Sequence, residues 1–67
     1  MISYRPLWET LNKRDMSTYD LIYKQELSAN TIYRMKQGKA VTTNTINELC
    51  SIPSCRVDEV IEFLEDE

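Results

Sequence analysis

The stretch from Ser17 to Gly38, STYDLIYKQELSANTIYRMKQG, constrains this chain more than any other. Two short helical patterns stand in it with almost nothing between them. Ser17 is suited to an N-cap, and Asp20 three residues later completes an acidic variant of the capping box. Leu21 and Ile22 give the first pattern an apolar stripe, which breaks around Glu26, with Leu27 pointing inward. Ser28 is the next cap. Ile32 and Met35 repeat the apolar face at helical spacing, and Gly38 stands where a left-handed residue ends a helix. Two helices joined by so short a link must cross steeply, and the second then turns its outer face to solvent. That face carries Ala29, Asn30, Thr31, Tyr33, Arg34 and Gln37, which is to say an amide, hydroxyls and a guanidinium but no carboxylate. It suits a surface with hydrogen-bonding edges and negative charge, and the DNA major groove offers both.

Size sets the limits of the rest. A chain of 67 residues is expected to be one domain with a thin core, since a domain this small buries only about 60% of its unfolded surface. One Gly, two Pro and 42% hydrophobic residues favour an ordered, mostly helical domain over a disordered tail. No apolar run approaches the ~20 residues that span a bilayer. Met1 to Pro6 lack the apolar stretch of a signal peptide, so a cytoplasmic location without membrane contact is expected. Histidine is absent, which leaves Ser and Cys without an ordinary base partner. The single glycine excludes a Gly-rich phosphate loop. Cys50 and Cys55 cannot fill a four-coordinate zinc site by themselves. Cys50 falls on an apolar helical face and Cys55 in the loop after it, and both are expected to be free thiols in a reducing compartment. No enzyme activity, metal or cofactor is expected.

The net charge of −3 is unevenly spread. Through Cys55 there are seven basic and five acidic residues, and from Arg56 onward one basic and six acidic. A mildly basic body thus carries an acidic end, and Glu65-Asp66-Glu67 reads as a solvated terminus. A local basic surface can still meet phosphates.

Taken in order, Ile2-Ser3-Tyr4 alternates as a short extended segment. A first helix follows, with Pro6 in its first turn, an apolar face of Leu7, Trp8 and Leu11, and Lys13-Arg14 near its C-terminus. Asp15-Met16 make a tight turn. After Gly38, Lys39 to Thr42 form a basic loop. Thr42 or Thr43 caps a fourth helix that carries Ile46, Leu49, Cys50 and Ile52, and Pro53 ends it. A short fifth helix is expected from Arg56 to Ile61. Glu62-Phe63-Leu64 alternates as the N-terminal segment does, and the two are expected to pair as a β-ribbon, because the termini of small domains often lie close together.

Leu21, Ile22, Glu26, Leu27, Ser28, Ile32 and Gly38 together resemble the helix-turn-helix of the lambda Cro and CI repressor family. The likeness continues through Val41-Thr42, Ile46, Leu49 and Cys50, which resemble that family's fourth helix, so it covers most of the chain. Two positions depart from the family pattern. Ile22 stands where the family has a small Ala, which implies a slightly wider separation of the two helices. Glu26 stands where the family has Gly, and the turn implies a positive φ there at about 1 kcal/mol.

The resemblance implies a compact, all-α, five-helix lambda-repressor-like domain over residues 1–67, its helix-turn-helix at about 17–38 and a short terminal β-ribbon. It implies a sequence-specific regulator of transcription, a repressor, that reads double-stranded DNA with the helix after Ser28. Asn30 would read adenine or meet a phosphate, Arg34 would take guanine, Ala29 would pack on a thymine methyl, and Thr31 would bond to a base or phosphate. Thr18, Lys36, Lys39 and Thr43 would contact the backbone, while Tyr23 would either reach a phosphate or, with Tyr19, cover the edge of the core. Val57, Val60, Ile61, Phe63 and Leu64 exceed what a thin core absorbs, and with family members commonly dimerising in this region a homodimer is expected. No small-molecule effector domain is expected. The alternative is a protein-interaction module, an antitoxin or adaptor, on the same fold.

Overall fold

A computed structural model describes residues 1–65; Asp66 and Glu67 of the acidic terminus lie outside the described residues. The elements run β1 (Ile2–Ser3), α1 (Arg5–Lys13), a π-wound segment (Asp20–Lys24), α2 (Ala29–Lys36), α3 (Thr43–Ser51), a 3₁₀ turn (Val57–Glu59) and β2 (Glu62–Phe63). Four helical segments and a short 3₁₀ turn therefore stand where five helices were expected.

The ends pair as the alternation predicts. β1 and β2 are antiparallel, with Ile2 opposite Phe63 and Ser3 opposite Glu62. The Leu64 N–H donates to the Met1 carbonyl at 2.8 Å. On the ribbon, the Arg5 guanidinium meets Glu62 in a fork, Nε to Oε2 at 3.1 Å and Nη2 to Oε1 at 3.2 Å. An exposed pair of this kind contributes less than about 1 kcal/mol, so the backbone bonds fix the register and the ion pair decorates it.

One core joins α1, the π-wound segment, α2 and α3. Tyr4, Leu7, Leu11, Leu21, Ile32, Met35, Leu49 and Val60 are buried, and Trp8, Met16, Ile22, Leu27, Val41, Ile46, Cys50, Ile52, Cys55 and Ile61 pack around them. Each fully buried leucine or isoleucine contributes about 1.5–3 kcal/mol relative to exposure. Thr10, the one buried polar side chain among the described residues, donates its hydroxyl to the Glu59 carbonyl at 2.7 Å, which ties α1 to the 3₁₀ turn. The Arg14 guanidinium donates to the carbonyls of Pro53 and Ser54 just beyond α3, where a cation also suits the helix dipole.

The fifth helix from Arg56 to Ile61 is corrected to the three-residue turn Val57–Glu59. Too few residues separate Cys55 from β2 to repay helix nucleation, in which several residues are fixed for one hydrogen bond. Thr10 also claims the Glu59 carbonyl that a longer helix would use internally.

The steep crossing turns at Glu26, which has φ 59°. The preceding segment closes with the Gln25 N–H on the Asp20 carbonyl at 3.1 Å, a bond one residue wider than α-helical, and with the Leu27 N–H on the Leu21 carbonyl at 3.0 Å. A residue with a Cβ in this left-handed region carries a cost that glycine does not. Glu26→Gly should accordingly be more stable than Glu26→Ala by about 1 kcal/mol in urea unfolding. Equal midpoints for the two variants would show that the turn is not held left-handed.

Candidate nucleic-acid interface

α2 owes its place to Ser28 and to two apolar side chains. The Ser28 Oγ accepts from the Thr31 N–H at 3.4 Å and starts the helix, and Ile32 and Met35 bury its inner face. Gly38 at φ 76° ends it, with the Gly38 N–H on the Met35 carbonyl and the Lys39 N–H on the Arg34 carbonyl, both at 3.0 Å. The opposite face is thereby fixed outward. Ala29, Asn30, Tyr33, Arg34, Lys36 and Gln37 are exposed and Thr31 is half-buried. Asn30 and Arg34, one turn apart, share this face.

The sequence of α2 and of the loop that follows it contains no acid. From Leu27 to Asn47 the chain has no Asp or Glu, while Arg34, Lys36 and Lys39 stand within it. No carboxylate among the described residues lies within ion-pair distance of these three. The Arg34 Nη2 instead donates to the Ala40 carbonyl at 3.3 Å, which engages one of its five N–H groups. Arg34 also borders an open recess of about 350 Å³ with Thr31, Ala40, Val41, Thr42 and Thr45. Thr42 caps α3 on the far side, its Oγ1 accepting from the Thr45 N–H at 3.2 Å. Thr43, the first residue of α3, and Lys39 in the loop are both exposed.

Ahead of the turn, Ser17 and Asp20 form the expected reciprocal cap. The Ser17 N–H donates to Asp20 Oδ2 at 2.9 Å, and the Asp20 N–H donates to Ser17 Oγ at 3.2 Å. Thr18 is half-buried at this N-terminus. Tyr19 and Tyr23 do not cover the core edge: they are 62% and 68% exposed and pack against each other, tilted by 38° with ring centroids 4.6 Å apart.

The apolar residues expected to meet a second subunit fall into two groups. Val57 and Phe63 are exposed, and Ile61 and Leu64 are half-buried. Val60 is sealed in the core, which removes it from that surface set as a correction. It follows the 3₁₀ turn directly, and the chain reversal there points it inward. Ile2, opposite Phe63 on the ribbon, is 49% exposed. Tyr33, 61% exposed, stands on the outward face of α2, where its place three residues after Asn30 put it. Cys50 and Cys55 are free, and burial, with Cys50 and Glu59 nearby, pushes the Cys55 thiol above its ordinary value.

A capped helix, a left-handed turn and a second capped helix with an exposed acid-free face define a helix-turn-helix domain. The chain belongs to the family of Cro/C1-type HTH DNA-binding domains, whose profile matches residues 6–66. Among solved structures it is similar to the crystal structure of transcriptional regulator VanUg, at 26% identity over 97% of this chain and 87% of that one, with a TM-score of 0.87. No curated protein matches the chain. No helix among the described residues is long and apolar enough to cross a membrane.

The capping pair leads to a pH dependence. The Ser17 backbone N–H, followed by Lys24, holds the Asp20 carboxyl below its ordinary value of 3.8. The folded state therefore binds this proton less readily than the unfolded chain. Its contribution to stability is complete above the ordinary carboxylate range and is lost as pH falls through the lowered value. Asp20→Asn should melt below wild type at neutral pH, and the gap should close as pH drops below the ordinary value. Thermal unfolding of both proteins over an acid series measures it, and a gap independent of pH would exclude the ionised cap.

Proposed function

We propose that this chain is a sequence-specific double-stranded DNA-binding regulator of transcription, a cytoplasmic repressor that acts by occupying its site and reads the major groove with α2. The observation that carries the proposal is the outer face of α2, exposed, rich in hydrogen-bonding groups and free of carboxylates. Asn30 is suited to adenine through N6 and N7 or to a phosphate, Arg34 to guanine O6 and N7, Ala29 to a thymine methyl, and Thr31 to a base or phosphate. Tyr33 widens the same face. Thr18, Tyr23, Lys36, Lys39 and Thr43 flank it and would meet the backbone, which orients the protein without reading sequence.

Replacing Arg34 by Ala should cost about 1–3 kcal/mol on the preferred site and relax preference there. Replacing Lys39 by Ala should weaken all sequences alike and lower the salt slope by about one unit. Binding of each variant to a duplex selected from a random pool and to a scrambled duplex, over a salt series, separates the two. If Arg34→Ala binds both duplexes as wild type does, α2 is not the reader, and an interaction module on the same fold replaces this proposal.

A homodimer completes the proposal. Ile2, Val57 and Phe63 are 49%, 54% and 69% exposed, and Ile61 and Leu64 adjoin them. A second copy related by a twofold axis would cover these side chains and set two α2 helices about 34 Å apart, one turn of DNA. Sedimentation should show a dimer at high concentration or on a duplex with two half-sites. A monomer under both conditions would exclude it.

A further inference from the structure

The segment from Lys39 to Val41 carries the carbonyl that holds Arg34, yet little main chain holds the segment itself. The Lys39 N–H is engaged by the end of α2. Beyond it, no main-chain hydrogen bond among the described residues uses the N–H or C=O of Ala40 or Val41. Packing beneath is incomplete, because Ala40 and Val41 overhang an open, mostly apolar hollow of about 210 Å³ bordered also by Tyr4, Ile46 and Ile61. Two side chains make up the deficit. Arg34 reaches in from outside to the Ala40 carbonyl. Tyr4, 8% exposed, reaches from inside and donates its hydroxyl to the Lys39 carbonyl at 2.7 Å. This bond spans 35 positions in sequence and is shorter than the Arg34 bond. Tyr4 is itself anchored, as the N-cap of α1 immediately after β1, and its ring belongs to the core.

We propose that Tyr4 is a positioning residue for recognition: through the Lys39–Ala40 peptide its hydroxyl fixes the carbonyl that aims the Arg34 guanidinium. The inference rests on the reading of α2 as the base-contacting helix. An arginine side chain is long and flexible, and holding it in one orientation before binding lowers the ordering cost that binding otherwise incurs. One N–H on Ala40 leaves the other four for a base edge. The phenyl ring of Tyr4 serves packing, whereas its hydroxyl serves the loop, so the two roles separate in Tyr4→Phe.

The test is a double-mutant cycle with Tyr4→Phe, Arg34→Ala and the double variant, each measured for affinity to the selected and to a scrambled duplex. Tyr4→Phe should lower the ratio of the two affinities by about three- to tenfold, the effect of losing one neutral hydrogen bond. Binding to the scrambled duplex and the salt slope should stay as in wild type. In the Arg34→Ala background the same change should have no further effect on the ratio. Relaxation of the Arg34 side-chain Nε–H by NMR in the free protein gives a second readout, in which Tyr4→Phe should raise its mobility. Equal losses on both duplexes, or an unchanged ratio and unchanged Arg34 mobility while Arg34→Ala abolishes discrimination, would overturn the role of Tyr4 and leave α2 as the reader. Unchanged discrimination in Arg34→Ala would remove the reading of α2 and the inference with it.

Discussion

Leu21 is the only fully buried side chain that the π-wound segment contributes, and the geometry of the helix-turn-helix depends on it. The segment is five residues long and has too few internal bonds to persist alone. Burial of Leu21 holds it against the core that Ile32 and Met35 enter from α2, and Ile22 and Leu27 add half-buried contact on either side. Local chemistry then sharpens what burial selects. The Ser17–Asp20 cap fixes where the segment begins, and the left-handed Glu26 turns the chain before Ser28 starts α2. Because α2 is seated by its inner face, its outer face is determined as well.

The parts of this arrangement that were legible in the sequence are those whose causes lie within a few residues. Ser17, Ser28 and Thr42 cap helices because each hydroxyl needs only a backbone N–H two or three positions on, and a pattern that short is visible in the chain itself. Gly38 and Glu26 were legible for the same reason, since a turn of fixed length demands a left-handed residue at one place. The ribbon is the exception: a long-range pairing inferred from alternation at two ends, which succeeded because small domains tend to bring their ends together.

What escaped the sequence depends on partners far along the chain. Apolar counting cannot say that Val60 is sealed while Val57, three residues earlier, is largely exposed; the reversal between them is set by Thr10, 49 positions from Glu59. The winding of Asp20–Lys24 is likewise not a local property. A wider turn places Ile22 at the margin of the core, half-buried, and the bulk that replaces a small residue there is accommodated at the rim. The exposure of Tyr19 and Tyr23 follows, since aromatic rings at helical spacing look like core until the helix is oriented. The bond from Tyr4 to Lys39 has no sequence signal at all, because it joins a residue read as extended to a loop read as basic.

The net charge of −3 looks unfavourable for a family of DNA-binding domains, but the placement of charges matters more than their sum. Asp20 meets Lys24 at 3.2 Å, Glu62 meets Arg5, and Asp58 and Glu59 meet Arg56 at 2.9 and 3.9 Å. These four carboxylates are paired locally with three cations, Arg56 serving two of them, all outside α2 and its loop. The field of an exposed charge decays over about 8 Å at physiological salt, and the molecule extends 39 Å along its longest axis. A ligand at α2 therefore responds to the charges within a turn or two of it, not to the sum over the chain. Those charges are Arg34, Lys36 and Lys39, in a stretch without acid from Leu27 to Asn47, with Glu26 alone at the turn before it. Their chemistry also divides the labour. Under the proposed reading the lysines are exposed point charges whose attraction is the same for every sequence, while Arg34 offers a planar fork suited to distinguishing one base edge from another. The carbonyl of Ala40 restrains only the latter, the one side chain of the three for which that reading makes orientation matter.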